Sequence, residues 1–411
     1  MKDWSRDYWP LRIGRDTAAI ILFFVFPTIH VMATRGAVAA TGVAFICIVV
    51  MHVLTKGRSL WNEEWQLLYA KPVALSLMAL LLWWLISLIW SPDRSFALRD
   101  GSGLLLMALA LIYLPIQLAR TVLLTPSTII VTGVIVCASL MICELLGITR
   151  LYDRFDPSAE LWDLNRTALL LTLMLPAIAL TASKGMWRAA TAVLAGALCV
   201  AGILLSQGQS AQLALIVGTA AAALAAVPFT RRSAAGRCVA AGCITVMVAM
   251  PVLVKGLDTK PARDALSSLP SANAEHRVAL WAGYQSVLLE RPVVGWGAGA
   301  ARYAGLTGQA TEVAIARGYP HTATSPHNAP LEIWTELGLI GVALMSLFLW
   351  YLGAAIDRQG GRIRVAFTYL FAAAITYSFV SSSLYQGWWL NSLAMAVVAC
   401  LMLENRHKTL S

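Results

Sequence analysis

The chain has 411 residues, of which 59% are hydrophobic and only 13% charged, with a formal net charge of +10. Soluble domains average about 25% charged residues, so the composition excludes an ordinary soluble protein and leaves a polytopic membrane protein. The seven cysteines lie in or at the ends of apolar runs without zinc-type spacing, which argues against a disulfide framework or a metal cluster.

The chain opens on a basic segment, MKDWSRDYWPLRIGRD. No small-residue cleavage site follows the next apolar run, so this reads as a cytoplasmic tail and a retained first helix. A spanning helix needs about 17–25 mostly apolar residues. Runs that qualify are 17–34, 36–54, 72–90, 102–119, 126–147, 166–183, 189–206, 210–228, 238–255, 331–354, 364–382 and 386–403. The expected fold is all-α and integral to the membrane, with about twelve transmembrane helices. It divides into spans 1–9 over residues 1–255, one large loop over 256–330 that contains short helices, and spans 10–12 with a tail over 331–411.

Arginine and lysine in the connections set the orientation. Alternate connections, both termini included, hold 18 basic residues against 7 acidic ones, and the opposite set holds 13 against 14. The first set is the cytoplasmic side, and the 256–330 loop is then periplasmic. No nucleic-acid partner is expected. Trp83, Trp84, Trp90, Trp350, Trp388 and Trp389 fall at span ends and read as interfacial anchors; Trp388 and Trp389, beside the turn SSSLYQG, read equally as stacking surfaces for a sugar ring.

Three external segments are more than connectors: 148–166, the turn SQGQS at 206–210, and the loop 256–330. Loops above about 12–15 residues are usually functional or disordered. Within the long loop, Arg277, Trp281, Tyr284 and Leu288 recur at helical spacing. Pro292 stops that helix and GWGAG (295–299) makes a flexible turn. Pro326 restricts Ser325 and sets a turn that presents His327 and Asn328 just before the tenth span.

Each polar residue has two readings. Arg277 is a phosphate ligand, or it pairs with Glu275 or snorkels. His327 is a general base or an ordinary loop histidine. Arg166 is a cation for a substrate or a headgroup anchor. Glu144 and Glu336, inside apolar spans, are functional carboxylates or solvated helix ends. What favours function is the combination on one side: arginine forks suit phosphate oxygens, and a neutral histidine can accept a proton near pH 7. No metal-binding motif stands out, so neither a metal nor another cofactor is expected.

Four blocks carry a family resemblance: DLNRTALLLTLMLP (163–176), SQGQSAQLAL (206–215), HRVALWAGYQSVLLERPVVGWGAG (276–299) and HNAPLEIWTELGLIGVAL (327–344). In this order they resemble the O-antigen ligase and polymerase superfamily of bacterial membrane glycosyltransferases. One departure matters. Many members have an arginine at the third position after the serine or threonine of the second block, where this chain has Gln209.

The resemblance implies a GT-C type fold in the inner membrane, a site facing the periplasm, and an undecaprenyl-diphosphate-linked glycan as donor. With the ligases the acceptor is lipid A–core oligosaccharide. The polymerases use another lipid-linked unit, and protein O-oligosaccharyltransferases share much of the signature. The compact chain with one large loop favours the ligase; a glycan transporter is the non-enzyme alternative. The catalytic candidates are His327, Arg277 and Arg166. The substrate-binding candidates are Asn328, Gln209, Asn165, Trp281, Arg291, Arg302 and His321, with membrane lipids around them.

Overall fold

The computed structural model describes residues 9–56, 72–99, 101–103, 114, 117–118, 126–151, 161–182, 185–227, 234–268, 272–319, 325–383 and 385–410. The first apolar run forms α1 (Trp9–Ile20) and α2 (Phe26–Met32), joined by a π-helical stretch, Ile21–Val25. The chain turns at Ala33 into α3 (Thr34–Lys56), which packs back on α1 and α2. Then come α4 (Pro72–Ser87), α5 (Pro126–Leu145), α6 (Asn165–Thr181), α7 (Met186–Leu205), α8 (Gln209–Ala226) and α9 (Ala235–Leu257). The long loop holds α10 (Lys260–Ser267), α11 (Ala272–Glu290), α12 (Ala300–Leu306) and α13 (Glu312–Ala316). The chain closes with α14 (Ala329–Asp357), α15 (Gly361–Val380) and α16 (Gly387–Leu410).

No strand occurs among the described residues. Eight helices there are long and apolar enough to cross a membrane, and three shorter apolar ones, Val38–Val50, Pro72–Ser87 and Asn165–Thr181, coincide with further expected spans. The span expected at 102–119 falls mainly outside the described residues. The chain is an all-α integral membrane protein.

Hydrophobicity gives helices little reason to associate inside lipid, so close backbone approach through small residues takes over. A Cβ on Gly133 of α5 would lie 1.7 Å from the carbonyl oxygen of Phe23, in the π-helical stretch. Gly236 of α9 and Gly353 of α14 cross with each Cα pressed on the other's carbonyl, at 2.4 and 2.5 Å from a notional Cβ. The Asp357 carboxylate locks that crossing: it accepts from the Gly236 amide at 2.7 Å and from Arg237 Nε at 3.0 Å. One apolar core, with Phe23, Ile130, Leu170 and Cys199, joins α1–α3, α5–α8, α15 and α16. A second, with Met247, Leu288, Leu331 and Trp334, joins α9, α11 and α14.

The long loop folds on its own small core of Leu280, Tyr284, Val287, Ala301, Ala304 and Ala310. The helical face read from the sequence divides between two partners. Tyr284 faces this core and donates to the Ala301 carbonyl at 2.9 Å, while Trp281 and Leu288 pack toward α14.

The GWGAG segment is not the flexible turn its glycines suggest. α14 breaks at Gly338 (φ 63°, ψ −162°), and a broken helix frees backbone groups that must find partners. The 292–297 turn supplies them. Trp296 N donates to Thr335 O at 2.8 Å and Gly297 N to Glu336 O at 2.8 Å; Leu339 N donates to Pro292 O at 2.9 Å and Ile340 N to Val293 O at 3.3 Å. Trp83 of α4 donates to Leu337 O at 3.1 Å. Both Gly295 and Gly338 have positive φ, and a Cβ on either would meet the other segment's backbone at 2.3–2.4 Å, so glycine is required twice. Ser87 and Ser91 at the end of α4 then clasp Ala298, through its N–H at 3.0 Å and its carbonyl at 2.6 Å.

Candidate active site

The last turn of α15 leaves backbone carbonyls without helical partners, and such an end carries partial negative charge. Two neighbouring carbonyls are taken by residues of other segments. Arg277, from the first turns of α11, donates to Val380 O. His327 Nδ1 lies 3.1 Å from Ser381 O. A carbonyl can only accept, so Nδ1 carries the proton and Nε2 of the neutral ring keeps its lone pair. Burial pulls the His327 imidazole below its ordinary value; the charge of Arg277 and then His276 act in the same direction, and the Ser381 carbonyl opposes them. The ring is therefore neutral at pH 7. Burial also pulls Arg277 below its ordinary value, with Tyr377 opposing; a guanidinium remains a cation throughout.

The backbone holds His327 in an unusual conformation. Among the described residues it is the only non-glycine with positive φ, at 49°, a state that costs a residue with a Cβ of order 1–3 kcal/mol. Both flanks are tied down. Trp281 Nε1 donates to Pro326 O at 2.9 Å. Asn328 is the N-cap of α14: its Oδ1 accepts from Leu331 N at 3.0 Å and its amide nitrogen rests on Met250 Sδ. These bonds change two expectations. Asn328 is buried and its side-chain atoms face protein, and the Trp281 N–H is engaged in the same way. Both hold the histidine turn.

Arg166 sits at the start of α6, paired with Asp163 at 3.0 Å and placed 5.7 Å above the Trp388 ring. Trp388 meets Tyr377 edge-on at 6.0 Å, and the Tyr377 phenol lies within electrostatic range of both Arg166 and Arg277. Tyr377 thus links the two arginines. Beneath them, buried His30 bonds Thr167 at 3.2 Å and approaches Ser392 at 3.5 Å. The second sequence block closes on the first here, because a Cβ on Gly208 would lie 3.2 Å from Asn165 Oδ1. Gln209 opens α8 beside this contact and is exposed.

Two other arginines of the loop stack on aromatic rings. Arg291 follows Arg277 by fourteen residues along and just past α11, about 21 Å at helical rise. It stacks on Trp296 at 4.0 Å, and Arg302 stacks on Phe96 at 4.0 Å. Like charge in one loop suggested one site; the length of α11 separates Arg291 from Arg277. His321 lies outside the described residues.

Glu144 and Glu336 are neither solvated ends nor open to a substrate. Glu144 accepts from Leu151 N at 2.9 Å and from the Thr149 hydroxyl. Glu336 accepts from Tyr385 and, at 3.3 Å, from Ala301 N. Three expected anchors prove to be internal ties: Trp83 to Leu337 O, Trp84 to the Tyr385 hydroxyl at 2.7 Å, and Trp389 to Ser383 O at 2.8 Å. Among the described residues no three His, Cys, Asp or Glu side chains come together in a metal-holding group.

Residues 169–346 match the family model described as O-antigen ligase. A putative polysaccharide ligase of Rickettsia prowazekii is 28% identical over 152 residues, covering 36% of this chain and 37% of the relative. Similar proteins of Rickettsia conorii and Rickettsia felis, named in the same way, are 26% identical over 160 residues and 24% over 156, each covering 38% of both chains. The matches thus span less than two-fifths of the length of these curated relatives. Over the matched segment the chain is similar to O-antigen ligases.

The matched segment contains Gln209, Arg277, His327 and Asn328 but begins after Arg166 and ends before Tyr377 and Ser381. The α15–α16 turn that receives Arg277 and His327 therefore lies outside it. Sequence reasoning also passed over Tyr377, Val380, Ser381 and His30. Val380 and Ser381 act through backbone oxygens, which leave no mark in residue type. His30 and Tyr377 sit inside apolar runs, where no motif marks them.

Proposed function

We propose that the chain is an inverting glycosyltransferase of the O-antigen ligase type, moving a glycan from undecaprenyl diphosphate to lipid A–core oligosaccharide. The donor diphosphate lies between Arg277 and Arg166, whose charges offset the charge that develops on the leaving group. The acceptor hydroxyl oxygen attacks the anomeric carbon as the bond from that carbon to the diphosphate oxygen breaks. The hydroxyl proton passes to His327 Nε2 and the bonding pair leaves with the diphosphate. Asn165 and exposed Gln209 border the donor. Asn328 and Trp281 act through the histidine turn. No step needs a metal or a nucleotide, because the diphosphate is already a leaving group.

The observation that carries this reading is the Nδ1 contact to Ser381 O, which leaves Nε2 as the free base beside a cation. The orientation belongs to the same proposal: termini in the cytoplasm of an inner-membrane protein, loop and site in the periplasm. A transporter reading needs broken helices that line a path near the midplane. The break at Gly338 is closed by the 292–297 turn instead, which supports the enzyme.

The test is transfer by the purified full chain between undecaprenyl-diphosphate-linked glycan and lipid A–core in excess EDTA. Product of inverted anomeric configuration is expected. Failure with lipid A–core but success with a second lipid-linked unit or a protein acceptor would move the chain to the polymerases or the protein transferases. Activity that returns only with a divalent cation would overturn the metal-free mechanism.

A further inference from the structure

The turn between α15 and α16 has two sides. One carries the site: Val380 O holds Arg277 and Ser381 O holds His327. The other faces the first turns of α14. There the Ser383 hydroxyl donates to Glu332 Oε1 at 2.5 Å, and the Tyr385 hydroxyl donates to Glu336. Glu332 is 2% exposed, and Trp389 Nε1 holds the Ser383 carbonyl at 2.8 Å. The start of α14 therefore grips the turn at two points, His327 on Ser381 and Glu332 on Ser383. A ring held by one hydrogen bond can swing about it, whereas a second bond between the same two segments fixes the geometry.

We propose that Glu332 is a positioning residue of the transfer reaction: by accepting from Ser383 it fixes the turn whose neighbouring carbonyls aim His327 and Arg277. This inference rests on the proposed role of His327 as base. Glu332 touches no substrate in it. A carboxylate buried at this depth is costly unless it is bonded, and the bond it accepts from Ser383 lies on the element that the site depends on.

The charged and titratable groups facing His327 are Arg277 and His276 from α11. α15 brings the Ser381 carbonyl, with Tyr377 beside Arg277. The Ser381 contact favours the protonated ring. If the turn loosens and that contact weakens, the acid limb of activity moves to lower pH, an effect that general destabilisation does not produce.

The experiment compares the full-length protein with Glu332→Ala, Ser383→Ala, the double variant, Glu332→Gln and His327→Ala. The assay is transfer from undecaprenyl-diphosphate-linked glycan to lipid A–core across pH. Misplacement of a reacting group by about 1 Å costs up to about 100-fold, so both alanine variants should lose about 10- to 100-fold in kcat, with a smaller rise in donor KM as Arg277 loosens. The double variant should lose no more than the worse single one, since both remove one bond. Glu332→Gln, whose amide oxygen still accepts from Ser383, should recover most of the rate. Ser383→Ala removes a single oxygen and serves where Glu332→Ala does not fold. Wild-type kcat and acid limb in Ser383→Ala and in the folded Glu332 variants, with His327→Ala inactive, would overturn this inference alone. Full activity in His327→Ala would instead remove the reading beneath it.

Discussion

Arg277 and His327 are bound to consecutive carbonyls of one helix end, Val380 O and Ser381 O. The two residues lie fifty positions apart in sequence and in different segments of the loop, yet a single helix terminus sets the distance between them. That end carries partial negative charge and attracts the guanidinium. The guanidinium in turn disfavours a second positive charge on the imidazole.

His327→Ala should abolish transfer, because a positioned base contributes typically about 10²–10⁴-fold. Membrane insertion and donor binding should persist. The imidazole lies below its ordinary 6.5, so its base form is present at pH 7 and is lost as pH falls through the lowered value. The acid limb should therefore lie below 6.5. Retained turnover in His327→Ala, with loss in His276→Ala, would identify the wrong histidine.

Arg277→Lys should be poorly tolerated and Arg277→Ala worse. A lysine keeps the charge but cannot hold Val380 O and a phosphate oxygen with one planar fork. Donor titrations with both variants decide the point. Unchanged donor KM and kcat in the two would leave Arg277 as a structural tie to α15.

Asn328→Ala should cost about 1 kcal/mol of stability through loss of the α14 cap, measured as a lower thermal midpoint in detergent. Activity should fall as well, because the cap follows directly on the strained histidine. Asn328→Asp, which still caps, should recover stability. An equal loss in both would show that the contact with Met250, and not the cap, matters.

Gly338→Ala should impair folding severely. Its Cβ would stand 2.4 Å from Val293 O at a φ of 63°, so backbone has to move and the residue is strained as well. Gly242→Ala in α9, with nothing within 4 Å of the added carbon, is the control and should leave yield unchanged. Normal yield and mobility for Gly338→Ala would mean that the interlock is dispensable.

Much of the membrane part was legible because its signal is composition over about twenty residues. Arg277, Trp281 and His327 were legible as a group because helical spacing and the Pro326 turn place them locally. Their partners were not. Val380 and Ser381 contribute oxygens that every residue has, and the contact of Gly208 with Asn165 depends on how α6 and α8 meet. The separation of Arg291 from Arg277 was not legible, because charge was read without the length of α11. Trp84 and Trp389 read as anchors because a span end looks the same whether it meets lipid or another helix.

The break at Gly338 also fixes how far the chain has to travel through lipid. Beyond it, residues 339–357 make nineteen helical positions, about 28 Å at 1.5 Å per residue, close to the roughly 30 Å of a hydrocarbon slab. Residues 331–338 are all buried, whereas Leu339 is 50%, Leu347 48% and Trp350 42% exposed. The ten residues of α14 up to and including the break are buried, and they reach α9, where Trp334 Nε1 donates to Met247 O at 2.8 Å and the Asn328 amide rests on Met250 Sδ. In the proposed reaction, the base at their tip takes its position from α9 and α15 through the Asn328 and Ser381 contacts.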